Sequence, residues 1–337
     1  MVISLIIPVH NGARVISGCL DSIGKSRGIA DHELEIIVID DGSTDNTAEV
    51  VRRYPVRYLP ILKAGVAAAR NAGIATAQGG VLIFFDADVR LKEDTLERML
   101  IHLKEDSDAM VIQGRWDFVS PVPGFSSDFQ LLKYHYCFRD FFQDRNRIKV
   151  ANLESGCLAV RREIFENVGL FHTGYRHAGG EEHELGLRII EKYDIFYYDD
   201  VFVEHAFGSF RNLLKKVWFR TVNFTILMLG PSGRKALEIH PSAPLRERLN
   251  LLFLGLVLLV GPARFLAPSA VVPAAIALVV AVIFTNFRFF FYLQKARGVV
   301  FALKGVACDL ILSVPKLGGV VTALFLYYVS GKKDFRI

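Results

Sequence analysis

LEIIVIDDGSTDNTAEVVRR, residues 34–53, holds one repeat of the architecture. Leu34–Ile39 is a short apolar run rich in β-branched side chains, as in a strand buried on both faces. Asp40-Asp41-Gly42-Ser43 closes it, and Thr44–Arg53 reads as a helix whose first turn carries the acidic Asp45. The same grammar extends outward. Ile3–Pro8 is a strand that ends in the turn Asn11-Gly12, and Arg14–Ser22 has helical spacing. Val56–Leu59 is a strand, Val66–Ala77 an Ala-rich helix, Val81–Phe85 a strand closed by Asp86-Ala87-Asp88, and Lys92–Lys104 a helix. Such alternation predicts an α/β fold: a mainly parallel sheet with helices on both faces and a ligand cleft at the carboxyl ends of its strands. Both acidic motifs stand at strand ends, so they are expected in one cleft.

The pattern loosens after residue 105. Met110–Gly114, Cys157–Val160 and Ile195–Tyr198 read as strands; Phe129–Gln143, Glu182–Lys192 and the basic Phe210–Leu229 read as helices. Composition then shifts. Hydrophobic residues make up 52% of the 337, with a mean hydropathy of +0.31, and the excess lies beyond Leu249. Phe265–Phe287 is 23 residues without a charge, enough to cross a bilayer, and Leu249–Ala263 is a shorter run of 15. The expected organisation is a catalytic domain over 1–230, a basic linker at the membrane surface over 231–248, and membrane helices over 249–331. These helices comprise two spans within 249–287 and a third segment, 299–331, of open depth. Arg211, Lys215, Lys216, Arg220, Arg234, Lys235, Arg246 and Arg248 form a basic collar before the apolar part. A hairpin of two spans returns Lys295, Arg297 and Lys304 to the catalytic side, whereas a full third span sends Lys332, Lys333 and Arg336 across.

A net charge of +5 gives no support for a nucleic-acid partner. Cys19, Cys137, Cys157 and Cys308 form no CxxC pair, which excludes a zinc motif or disulfide framework. MVISLIIPVHNG lacks the build of a signal peptide, so the catalytic domain is expected in the cytoplasm at the cell membrane.

Asp86 and Asp88, two apart at a strand end, point to one side and suit Mg²⁺ or Mn²⁺ completed by substrate phosphate, although a solvated turn has the same sequence. Asp40-Asp41 suits either a nucleoside base or ribose hydroxyl, or a helix cap. Gly180-Glu181-Glu182-His183-Glu184 opens a helix; clustered carboxylates raise one another's pKa and supply a general base, or merely complement the helix dipole. His205 would complete a metal shell or contact a diphosphate, or be structural. Arg220, with Lys215 and Lys216, would clamp phosphate or meet the membrane.

SLIIPVHNGARVISGCLDSI, IIVIDDGSTDNTAEV, AARNAGIATAQGGVLIFFDADV, SGCLAVRREIFENVGLF and GGEEHELGLRI, in that order, resemble the family-2 glycosyltransferases of the GT-A fold. The likeness covers roughly residues 3–190. It implies a metal-dependent, inverting transfer of a hexosyl-type sugar from a nucleoside diphosphate, UDP foremost, to a lipid-linked or saccharide hydroxyl, as in building envelope polysaccharide or glycolipid. By position it implies that Pro8, Val9 and Asp41, with Asp40 beside it, hold the nucleoside, and that Arg70 and Asn71 approach the nucleotide or diphosphate. It makes Asp86 and Asp88 the metal motif and puts Ser155 and Gly156 near sugar or acceptor. Glu182 stands where the family usually has its catalytic Asp, with Glu181 as competitor. The Gln-x-x-Arg-Trp motif of processive members is replaced by Lys216-Val217-Trp218-Phe219-Arg220, which implies single addition. The rivals are a polyprenyl-phosphate glycosyltransferase, whose acceptor is already anionic, a nucleotidyltransferase, and a non-catalytic nucleotide-sugar-binding scaffold.

Overall fold

A computed structural model describes residues 2–139, 146–175, 179–230, 233, 236, 245–263 and 268–330. In chain order the first half contains β1 (Val2–Val9), α1 (Ile16–Ile23), β2 (Glu33–Asp41), α2 (Thr47–Val51), β3 (Arg57–Ile61), α3 (Val66–Thr76), β4 (Val81–Phe85), β5 (Val89–Leu91) and α4 (Thr95–Glu105). Then come β6 (Val111–Trp116), α5 (Phe125–Phe138), β7 (Arg147–Val150), β8 (Cys157–Arg161), α6 (Glu163–Val168), α7 (Glu181–Ile189), β9 (Ile195–His205) and α8 (Phe210–Leu229). The C-terminal helices are α9 (Leu245–Ala263), α10 (Pro268–Arg297) and α11 (Val299–Tyr328).

One sheet runs β3-β2-β1-β4-β8-β6-β9-β5, with β7 on β9. Its first four strands are parallel, as short βαβ crossovers require. From β8 the order turns mixed: β8 is antiparallel to both β4 and β6, while β6 and β9 are parallel. Alternate side chains feed two cores. Ile3, Leu5 and Ile7 of β1 pack with α1 and α4; Ile6, Ile37 and Ile39 pack with α3, α6 and α7. The reversal of strand order beside β1 opens the cleft over the ends of β1, β2 and β4.

Three elements depart from their sequence expectations. The α5 helix starts one turn early, after Gly124, and the expected end at Gln143 lies outside the described residues. The β9 strand continues to His205 instead of stopping at Tyr198, because β5, which sequence reading overlooked, pairs with its far end. Arg246, expected on a basic surface collar, is buried instead and pairs with Asp309 of α11. Around it Lys133 of α5 meets Asp309 and Glu247, and Asn250 and Asn286 exchange amide hydrogen bonds. Most of the linker, including Arg234 and Lys235, lies outside the described residues, as do Arg264 and the tail from residue 331. Among the described residues two stretches, Val272–Arg297 and Val299–Tyr328, have the length and apolar composition to cross a membrane.

Candidate active site

The end of the cleft over β1 and β2 is built by backbone turns. Pro8, Val9, Asp41, Lys63, Val66 and Tyr175, with their neighbours, line a cavity of about 480 Å³. Asp41 ends β2 and accepts from Ala64 N (2.7 Å), Gly65 N (3.1 Å) and Lys63 Nζ (2.7 Å). Gly65 stands at φ +94°, a left-handed conformation that lets the chain fold over the carboxylate and enter α3. Asp41 thus sits at the N-terminus of α3 as an anion would. Asp40 faces elsewhere: its oxygens accept from Ser43 N (2.8 Å) and from the Tyr58 hydroxyl (2.5 Å). It fastens the loop after β2 to β3.

The other end is built around Arg70. This buried side chain of α3 donates from Nη1 to Glu181 Oε1 (3.0 Å) and from Nη2 to Asp86 Oδ1 (3.1 Å). Glu181 Oε2 accepts from Gly179 N (3.0 Å) and Gly180 N (3.1 Å). Burial alone would raise the Glu181 pKa, but hydrogen bonding to Glu182, the Arg70 charge and the backbone N–H groups outweigh it and hold the carboxyl below its ordinary range. Glu182 goes the other way. Burial and the Glu181 carboxylate beside it push its pKa well above the ordinary value, and its Oε2 is buried without a hydrogen-bond partner. Successive residues on a helix point about 100° apart, so two adjacent carboxyls reach different surroundings. Glu184, one turn on, pairs with Arg188 at 2.7 Å and leaves the cluster.

Asp86 and Asp88 cross the gap between β4 and β5. Asp86 N donates to Gly156 O (3.4 Å), and a Cβ on Gly156 would lie 3.0 Å from Asp86 Oδ2, so that glycine lets the carboxylate come close. Val89 of β5 is in register with His205 of β9, which puts His205 Nε2 3.7 Å from Asp88 Oδ1. Burial raises the pKa of Asp88; the His205 charge opposes this, and Asp86 adds to it. Over this end lies α8: Arg220 packs on Gly179 (φ +107°), Asn223 on Gly180, and Phe224 edge-on to His183 at 5.4 Å.

Residues 4–169 match the family described as Glycosyl transferase family 2. Glycosyltransferase AglE of Haloferax volcanii is 30% identical over 220 residues, 64% of this chain and 70% of that protein. This chain belongs to family 2 of the glycosyltransferases. An uncharacterized Escherichia coli glycosyltransferase, YibD, is 35% identical over 122 residues, only 34% of this chain and 35% of the relative. Among solved structures, a mannosyltransferase from Pyrobaculum calidifontis in complex with GDP-Man and Mn²⁺ superposes with a TM-score of 0.54 at 19% identity, over 98% of this chain and 86% of that one. That likeness shows the GT-A fold.

This family-2 glycosyltransferase brings Glu181, Glu182, Arg70, Asp86, Asp88, His205 and Arg220 together at one end, and Pro8, Val9 and Asp41 at the other. Two residues of the motif are tied up within the protein. Arg70 is buried, 3% exposed, between Glu181 and Asp86. Asn71 is held by the Phe171 backbone: its Nδ2 donates to Phe171 O (2.8 Å) and its Oδ1 accepts from Phe171 N (3.0 Å). Asp86, Asp88 and His205 share the cleft, but among the described residues no three His, Cys, Asp or Glu side chains close as a metal-holding group. Two members of the site escaped the sequence. Lys63 is a lone lysine before an Ala-Gly pair. Glu154, whose pKa burial pushes up to about 6, against a Tyr197 hydrogen bond and the Arg220 charge, precedes the Ser155-Gly156 pair that the motif did mark.

Proposed function

We propose that this enzyme transfers a hexosyl-type sugar from a nucleoside diphosphate to a hydroxyl of a lipid-linked or saccharide acceptor, with inversion, at the cytoplasmic face of the cell membrane. One observation carries the reading: Glu182 stands in the cleft with a raised pKa and a buried, unpartnered oxygen, while its neighbour Glu181 is locked to Arg70 and two backbone N–H groups. A buried carboxyl with a raised pKa and one oxygen left without a partner can take up the proton of a hydroxyl, the role of a general base. In this reading Glu182 accepts the proton of the acceptor hydroxyl as that oxygen attacks the anomeric carbon and the bond to the diphosphate oxygen breaks. The nucleoside lies in the cavity between Pro8, Asp41 and Val66, and Arg220 and Lys216 of α8 face the leaving group.

The donor set fits a transient cation. Asp86, Asp88 and His205 offer hard oxygens and one imidazole without a closed shell, so Mg²⁺ or Mn²⁺ held there would take its remaining ligands from water and the donor's phosphates. When bound, such a cation neutralises charge on the leaving nucleoside diphosphate. The solved relative with GDP-Man and Mn²⁺ supports this for a protein of the same fold.

The test is nucleotide release by the detergent-purified protein from a panel of UDP-, GDP- and dTDP-sugars, with and without divalent metal and a membrane lipid extract. Metal-dependent release from one donor, raised by the extract, is expected. Full activity in EDTA sinks the metal role, and release of pyrophosphate instead of nucleoside diphosphate sinks the transfer of sugar. A second reading, transfer to a polyprenyl phosphate, needs no base, and Glu182→Gln then stays nearly active.

A further inference from the structure

We infer that α11 (Val299–Tyr328) does not cross the membrane but lies flat in its interface, as a rail fastened along the roof of the catalytic domain. The inference rests on the membrane reading above and concerns how the chain sits there.

The contacts of α11 with the catalytic side run its whole length, and it also packs on α9, through Asp309–Arg246 and Lys316–Glu247, and on α10, where Gly305 meets Leu293. Phe301 stacks beside Phe125 of α5 with ring centroids 5.0 Å apart, and Gly305 lies against Phe129. Asp309 pairs with Lys133, so 301, 305 and 309 ride in parallel register on 125, 129 and 133. The helix then passes onto α8. A Cβ on Gly319 would lie 2.9 Å from Thr221 and from the Trp218 carbonyl, Ala323 packs with Val222 and Ile226, and the Tyr327 hydroxyl donates to Leu229 O (3.2 Å). From Phe301 to Tyr327 this is about 39 Å at the helical rise, longer than the roughly 30 Å hydrocarbon layer.

A helix so fastened cannot stand across the bilayer alone; α5 and α8 would stand beside it. The other side of α8 carries Arg220 and Asn223 over Gly179 and Gly180, and Arg211, Lys215, Lys216 and Arg220 are exposed. An upright α11 would therefore draw the active-site roof and four cations into hydrocarbon. Lying flat, it meets none of that cost. Its outward row, Val300, Leu303, Ile311, Val314, Val321 and Phe325, is apolar and exposed, and its spacings of three, four, seven and eight residues keep it on one side of the helix. At the corner where α10 meets α11, Lys295, Arg297 and Lys304 are exposed. An apolar row edged with cations fits the boundary between anionic headgroups and acyl chains. The deep anchor is then the other part, where α10 leaves the body of the protein with Val272, Ile276, Val279, Val280, Ile283 and Phe284 exposed. This arrangement also keeps Lys332, Lys333 and Arg336 of the sequence on the catalytic side.

Depth measurement tests it. Leu303→Cys, Val314→Cys and Phe325→Cys, each in a Cys137→Ala, Cys308→Ala background, are labelled with a fluorophore. The proteins are reconstituted in vesicles of phosphatidylcholine and phosphatidylglycerol, and quenched by lipids brominated at known depths. Leu303 to Val314, and Val314 to Phe325, are each about 16 Å along the axis. A flat helix gives three equal, shallow depths, with Val279→Cys in α10 deeper. An upright helix gives a deep Val314 between two shallow ends; that result overturns the inference and leaves the membrane reading intact. No quenching at any position, Val279 included, overturns the membrane reading and this inference with it. A second arm uses the unmutated chain with a C-terminal tag in sealed vesicles. Protease must reach tag and catalytic domain from the same side; a tag protected on the opposite side overturns the flat placement.

Discussion

The two ends of the cleft are finished to different degrees. At the end over β1 and β2 the two aspartates are matched within the protein: both oxygens of Asp41 take N–H donors, and Asp40 is held by Ser43 and Tyr58. At the end around Arg70 the matching is incomplete. Glu182 keeps a buried oxygen without a partner, the ring Nδ1 of His183 is likewise bare, and burial with the Arg220 charge lowers the His183 pKa to about 4. Asp88 and Glu154 are held towards their protonated forms. A site that only recognises its ligand can be complete before the ligand arrives. A site that moves protons must leave groups short of partners, as Glu182 Oε2 and His183 Nδ1 are at the end around Arg70.

Glu182→Gln should give the largest break in this comparison. Loss of a general base is expected to lower kcat about 10²–10⁴-fold towards a hydroxyl acceptor with donor KM little changed. The acid limb of kcat/KM in the parent should lie above the ordinary carboxylate range, since burial and Glu181 keep the proton on Glu182 as pH falls. The stability sign is opposite. A raised folded pKa favours the folded state at low pH, and this contribution is lost as pH rises through the raised value, so Glu182→Gln should hold or raise the melting temperature at neutral pH. A variant that melts early would make Glu182 structural.

Arg70→Met comes next. It strands Glu181 as a buried charge, at a cost of about 3–5 kcal/mol by denaturant unfolding, and releases Asp86 at the same time. Stability and activity should therefore fall together; activity lost with stability intact would make Arg70 a ligand-facing cation after all. Asp88→Asn should lower kcat by about 10²-fold and abolish the response of donor binding to Mn²⁺, as read by titration calorimetry. The smallest effect is expected from Asp41→Asn, where weakened charge-assisted hydrogen bonds of about 1.5–3 kcal/mol loosen the turn at Gly65. Donor KM should rise roughly tenfold, an effect of about 1.4 kcal/mol, while kcat stays near the parent. A drop in kcat as large as for Glu182→Gln would erase the division between the two ends.

The candidate site residues at the end of β4 and the start of α7 were legible because their motifs are local. Asp86-Ala87-Asp88 and the Glu181-Glu182 pair are short, and the turn each requires is written beside it. Residues that serve as struts were not. Arg70 carries the same charge whether it faces a phosphate or is buried between Glu181 and Asp86, 111 and 16 positions away. Asn71 likewise finds Phe171 a hundred positions on. His205 enters the site only because the three residues of β5, too short to show periodicity, pair with the end of β9.

The alternation of strand and helix, the parallel first half of the sheet, the family motifs and the apolar C-terminal quarter can be read along the chain. All of these follow from side chains a few positions apart, where period and turn chemistry act. Which of two adjacent glutamates is locked, and which keeps an unpartnered oxygen, emerges with the packed fold. It alone buried Arg246 with Asp309 and aligned α11 with α5 and α8. Those outcomes depend on partners distant in sequence, and the free energy of a buried charge is set by what packs around it, not by its neighbours along the chain.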